Sequence, residues 1–171
     1  MIIVADTGPI IALATLDRID LLGVFGADIL VPPRVRRELL SKPESETQEI
    51  EQALGSLIQV REVPSLKAKT KDAVDRLDPG ERDAVSLATA LDEETLLVMD
   101  DQAGRRVARQ FDCSVTGVIG VLLRAKELGQ LEAVTPLLDT MQAEGYWLSD
   151  EIIEHARELA EESGRRGSDK E

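Results

Sequence analysis

Cysteine and histidine are nearly missing from this sequence: 171 residues contain one of each, Cys113 and His155. A single cysteine excludes an intramolecular disulfide and any cysteine-rich zinc site. A single histidine excludes a multi-histidine metal centre and argues against a serine–histidine triad. A bound metal would therefore need oxygen ligands, which selects Mg²⁺ or Mn²⁺. Aromatic residues are scarce as well, at 2%, too few for a row of stacking platforms along a single-stranded nucleic acid. Basic residues are outnumbered 20 to 33, for a net charge of −13. That balance opposes broad contact with phosphate backbones, so any nucleic-acid contact must be local. No apolar run approaches the ~20 residues that span a bilayer. The start, MIIVADTGP, has neither the basic stretch nor the cleavage site of a signal peptide. The chain reads as soluble and cytoplasmic, with no membrane partner.

What is present is a core-forming chain. Hydrophobic residues make up 43%, enough for one domain of this length. Short apolar runs alternate with helical patterns. Strands are expected at Ile2–Ala5, Asp28–Val31, Ile58–Val63, Thr95–Met99 and Ser114–Thr116. Helices are expected after Thr7-Gly8-Pro9, after Pro32-Pro33, from Asp78 to about Leu91, and around Gly104–Phe111. From Val118 the pattern is helical with a break near Gly145, and Ser149 caps a last helix reaching Glu162. One domain over 1–162 is expected, with 163–171 as a disordered tail. Alternation of this kind argues for a parallel sheet covered on both faces, and the unbroken apolar strands fit burial on two sides.

In such sheets function sits beyond the carboxyl ends of the strands. Asp6 and Asp100 occupy two of those ends. Two more acids can join them. In the helix after Pro33, Val35 and Leu39 mark the buried stripe and Glu38 borders it. In the helix after Asp78 the stripe is Ala84, Val85, Ala88 and Leu91. At about 100° per residue, Glu81 falls on this stripe and Asp83 nearly opposite. An acid on the apolar side of a helix is costly without a partner, and several acids converging repel one another. A hard divalent cation answers both problems. Each acid also has a structural explanation. Asp6 could cap the first helix, Glu38 could pair with Arg34 one turn earlier, and Glu81 could be the reciprocal glutamate of a capping box. Asp101 reads as a helix cap and Asp83 as a solvated charge. Only the joint pattern favours a metal site.

These residues resemble a known family. Val4-Ala5-Asp6-Thr7-Gly8-Pro9 is similar to the opening motif of PIN-domain nucleases, and Val31-Pro32 through Arg37-Glu38-Leu39-Leu40 to their second. Leu77-Asp78-Pro79-Gly80-Glu81-Arg82-Asp83-Ala84 resembles the third motif in a subfamily long described as a domain of unknown function and related to VapC-type toxins. Leu97-Val98-Met99-Asp100-Asp101 with Gly104-Arg105 resembles the fourth. Thr116-Gly117-Val118 matches the strand-to-helix turn that follows, and Gly145-Tyr146-Trp147-Leu148-Ser149 is typical of the same subfamily. The resemblance implies a three-layer α/β/α sandwich with a central parallel sheet and C-terminal helices. It implies a ribonuclease dependent on Mg²⁺ or Mn²⁺, with Asp6, Glu38, Glu81 and Asp100 as metal-organising acids. Asp83 and Asp101 stand as alternates, since Asp83-Ala84 also fits the usual third motif. Products would carry a 5′-phosphate and a 3′-hydroxyl. Thr7 sits where the family often has a hydroxyl.

The basic residues near these motifs are candidates for substrate. Arg34, Arg36 and Arg37 flank Glu38, and Arg105, Arg106 and Arg109 follow the fourth motif. With Thr7, the set Arg34, Arg37 and Arg105 is expected to meet RNA phosphates, against the alternative of ordinary surface charge balance. Lys67, Lys69 and Lys71 read as a solvated face. An antitoxin protein and a second copy of the chain are open as partners, through the Leu131–Met141 and Tyr146-Trp147 region, against the favoured alternative that this region packs the last helix on the domain. The competing function is a non-catalytic metal- or RNA-binding module of the same fold. A phosphatase with Asp6 as nucleophile fits less well, because the second residue after Asp6 is Gly8 rather than Asp.

Overall fold

A computed structural model describes residues 1–41 and 47–162, so the expected tail at 163–171 lies outside the described residues. Five strands form one sheet: β1 (Ile2–Ala5), β2 (Asp28–Val31), β3 (Ile58–Val60), β4 (Thr95–Val98) and β5 (Ser114–Thr116). Their order is β3-β2-β1-β4-β5 and every pairing is parallel. The connections run outward from β1 to one edge and then return through β4 to the other. The sheet therefore changes direction between β1 and β4, the place where a crevice opens in such folds.

Helices cover both faces. On one side α1 (Thr7–Thr15) packs with α7 (Val118–Glu127) and with a 3₁₀ turn at Ile19–Phe25. On the other, α5 (Pro79–Ala90) packs against α4 (Ala68–Val74), α6 (Gln102–Gln110) and the sheet. The arrangement is an α/β/α sandwich, as expected. Apart from Thr95 at the start of β4, its central strands β1 and β4 are apolar because their centres meet no water on either face: Ile3, Val4, Ala5, Leu97 and Val98 are fully buried. Four further helices complete the described residues: α2 (Pro33–Leu40), α3 (Thr47–Ser56) and, after α7, the pair α8 (Thr135–Ala143) and α9 (Asp150–Leu159) beside each other.

Several boundaries differ from expectation. The third strand stops at Val60 rather than Val63. Arg61 N–H still reaches Val31 O at 3.0 Å, but the partner strand β2 ends at Val31, just before the helix that starts at Pro33, so the ladder stops there. The last helical region breaks at 128–134 as well as near Gly145, with Gly129 at φ 72° ending α7. That conformation suits glycine. Ser149 caps α9 as expected, its Oγ accepting from Ile152 N–H at 3.2 Å. Cys113 is buried and His155 is exposed.

Candidate active site

The cleft at the switch point is built from four elements. Asp6 follows β1, and its N–H donates to Val98 O at 3.0 Å, so the residue is tied to the end of β4. Met99 N–H in turn donates to Thr116 O at 2.9 Å, fixing the exit of β4 that carries Asp100. Glu38 comes from α2, which Pro33 starts. Glu81 sits in the first turn of α5, where Asp78 and Glu81 form a capping box and Asp78 N–H donates to Glu81 Oε2 at 3.3 Å. A cleft of about 430 Å³ brings Asp6, Thr7, Glu38, Glu81, Asp100 and Asp101 together.

Further hydrogen bonds orient Glu38 and Asp100. Thr7 Oγ1 donates to Glu38 Oε2 at 2.7 Å. Asp100 accepts twice: from Val118 N–H at 3.1 Å on Oδ1, and from the Tyr146 hydroxyl at 2.6 Å on Oδ2. Two glycines make room for the carboxylates. A Cβ at Gly80 would stand 2.5 Å and 2.6 Å from the Glu38 oxygens, and one at Gly117 would overlap Asp100 Oδ1.

The electrostatics are those of acids short of cations. None of the ion pairs among the described residues involves Asp6, Glu38, Glu81 or Asp100. Asp6 is 7% exposed. Burial, aided by the charges of Glu81, Glu38 and Asp100, pushes its pKa from 3.8 up to about 7, against the Thr7 N–H that stabilises the anion. Glu81 is raised first by burial and then by the Asp101 charge. Asp100 is raised by burial, opposed by Tyr146, Val118 and the Arg105 charge. Tyr146 is pushed up by burial and by the Asp100 carboxylate. An all-oxygen donor set of this kind fits a hard divalent cation. Among the described residues, however, no three His, Cys, Asp or Glu side chains are gathered into a ready-made metal site. The four acids border one space without converging on one point, as mutual repulsion dictates.

The remaining expected site residues divide. Asp101 lines the cleft, yet its Oδ1 accepts from Gly104 N–H at 2.7 Å, the capping role read from the sequence. Asp83 turns away to Arg34 (3.4 Å) and Arg82 (3.6 Å). Arg34, expected to meet substrate, therefore pairs with Asp83, and the pairing with Glu38 offered as its structural alternative does not form among the described ion pairs. Neither Arg34 nor the exposed Arg37 lines the cleft. Arg105 does stand beside the acids: its Nη1 donates to Met99 O at 2.9 Å and lies near Gly117. Tyr146 is the residue whose site contact was missed. Only its place in the Gly145–Ser149 run and the rarity of aromatics marked it in the sequence.

A family model described as a PIN domain matches residues 2–162. No curated protein and no solved structure matches the chain. The match spans the sheet, its covering helices and the segment that carries Tyr146, and the chain belongs to the PIN-domain family, which has a nuclease-type fold.

Proposed function

We propose that this chain is an endoribonuclease dependent on Mg²⁺ or Mn²⁺ that hydrolyses RNA phosphodiesters at the cleft between β1, α2, α5 and β4. The observation that carries the reading is that four carboxylates from four elements border one cleft with no basic side chain paired to any of them. Buried like charges persist when a cation completes the site. Asp6, Glu38, Glu81 and Asp100 would hold the ion. A bound divalent cation supplies Lewis-acid polarisation of the phosphate, a more acidic water and charge for the leaving oxygen.

The chain's own groups do the positioning. Asp6 and Asp100 leave the ends of paired parallel strands, which keeps their backbones rigid. The Thr7 hydroxyl sets the rotamer of Glu38. Tyr146 and the Val118 N–H hold both oxygens of Asp100. No histidine lines the cleft, so no imidazole serves as general base there. Arg105 is the basic group beside Asp100 and suits an RNA phosphate by its fork of donors.

The test is cleavage of a fluorescent RNA panel with Mn²⁺, Mg²⁺ or EDTA, with end-group analysis. Metal-dependent cutting that leaves 5′-phosphates supports the reading; metal-independent cutting or 2′,3′-cyclic ends contradict it. A second reading, a non-catalytic module, is favoured by the absence of a gathered metal site among the described residues. It predicts RNA or Mn²⁺ binding without turnover. A VapC-type toxin would share this chemistry and differ in having an antitoxin partner, so a short adjacent gene for a DNA-binding protein separates the two.

A further inference from the structure

The acid cleft does not end at Asp100. A second groove of about 800 Å³ continues from it, walled by Arg105, Ile119, Tyr146, Trp147, Ile152 and His155. Asp100 lines both spaces. The groove's wall is mainly apolar, and its most prominent feature is Trp147, which is 82% exposed. Ile152 and Leu159 line the same groove and are exposed too, so the indole is part of an apolar patch of the kind that marks an interaction site. Trp147 follows Tyr146 directly, and the Tyr146 hydroxyl is bonded to Asp100 at 2.6 Å. The indole is thus attached to the acid site through one residue of backbone.

Three observations select the occupant. Continuity is the first: the two spaces share Asp100, so a chain bound in the cleft through a phosphate has a path past Asp100 and Arg105 into the groove. Charge is the second. Arg105 is in no ion pair among the described residues, and its guanidinium stands where the two spaces join. A cation followed by an apolar wall matches a phosphate followed by a base. Size is the third, since the groove lies within the range of pockets that take small organic ligands, and a nucleoside is such a body.

We propose that Trp147 is a stacking platform for one nucleobase of single-stranded RNA, next to the phosphate held at the acid cleft and bridged to it by Arg105. The identity of the strand as RNA rests on the nuclease reading; the platform itself rests on the groove. Stacking on one indole accepts any base, because every base has a π face. The groove therefore confers affinity and register rather than sequence choice.

Trp147 is the chain's single tryptophan, so emission excited at the red edge, where the neighbouring Tyr146 does not absorb, reports this position alone. Wild-type protein is titrated with oligouridylate in Ca²⁺, and the strand is checked afterwards by electrophoresis to be intact. The same titration is run with a strand of equal length carrying abasic riboses. The proposal expects saturable quenching by oligouridylate and none by the abasic strand. Trp147→Ala should weaken oligouridylate binding on the order of tenfold and leave abasic binding unchanged. Trp147→Phe should restore most of the loss, and thermal midpoints should confirm that both variants fold. If RNA is bound and cut while emission and Trp147→Ala affinity stay unchanged, the platform is refuted and the nuclease reading survives. If Trp147→Ala instead splits a dimer without touching RNA affinity, the groove is an interface between copies and the platform is refuted. If RNA is neither bound nor cut, both fall.

Discussion

Replacing Asp6 by asparagine should stabilise the metal-free protein while removing its function. Asp6 is 7% exposed and surrounded by three other acids, and its pKa rises from 3.8 to about 7. At about 1.4 kcal/mol per pKa unit, keeping this carboxyl ionised costs the metal-free fold about 4 kcal/mol; side-chain relaxation lowers the expected gain on substitution to about 2–4 kcal/mol. The direction with pH follows from linkage. A carboxyl whose folded pKa lies above its unfolded value holds its proton more tightly when folded, so ionisation destabilises as pH rises. The cost is absent below about pH 4, grows as pH climbs, and is complete above about pH 7. Asparagine is neutral throughout. Urea denaturation of both proteins in EDTA, from pH 4 to 8, should therefore show a stability gap that opens over that window in favour of Asp6→Asn. Saturating Mg²⁺ should narrow or reverse it, because the ion stabilises only the protein that binds it. A variant less stable than wild type at pH 8 in EDTA, or a gap independent of pH, would refute the argument that Asp6 is held ionised at a cost.

Further expectations follow from neighbouring contacts. Tyr146→Phe removes the 2.6 Å bond to Asp100 and should weaken Mn²⁺ affinity by about 10–100-fold, as loss of a group supporting a metal ligand does, with the thermal midpoint nearly unchanged; calorimetric titration reads it. Gly80→Ala places a Cβ against both Glu38 oxygens and should abolish RNA cleavage in a folded protein. Gly55→Ala, in α3 with open space around it, should keep full cleavage and gain about 0.5–1 kcal/mol. Glu162 accepts from Lys126 Nζ (2.6 Å), Val134 N–H (2.8 Å) and Thr135 N–H (2.8 Å). These bonds hold its carboxyl down at about 2, against the cost of burial. Glu162→Gln should cost about 1–3 kcal/mol at neutral pH. The difference should fade as pH falls from the ordinary 4.5 toward 2, since a depressed folded pKa stabilises only above the unfolded one.

The parallel sheet was legible because its strands are short apolar runs between helix starts. Asp6 and Asp100 could be singled out because strand ends are where such sheets open. The helix phase in α5 was legible too: Ala84, Val85 and Ala88 are buried, and the structure has Glu81 in the cleft while Asp83 bonds Arg34. Other elements left no such pattern. The run Ile19-Asp20-Leu21-Leu22-Gly23-Val24-Phe25 is apolar without a clear period, and it winds into a 3₁₀ turn capped by Gly26 at φ 63°. α4 buries only Thr70 and Val74, too few to show a stripe between its lysines. Arg34 appeared free to meet substrate because its partner Asp83 is 49 positions away in the chain and comes close only when α2 packs on α5. The contact of Tyr146 with Asp100 spans 46 positions. Local periodicity carries no information at that range; only the folded path of α7, α8 and α9 brings that segment back to the cleft.

On the reading proposed above, Asp6, Glu38, Glu81 and Asp100, and not Asp83, make one metal-dependent site. The most direct measurement is the single-turnover rate of RNA cleavage at saturating Mn²⁺ for Asp6→Asn, Glu38→Gln, Glu81→Gln and Asp100→Asn beside Asp83→Asn. Cleavage should be lost in the first four and stay near the wild-type rate in Asp83→Asn. Full activity in any of the four, or silence in Asp83→Asn with its fold intact, would contradict that reading.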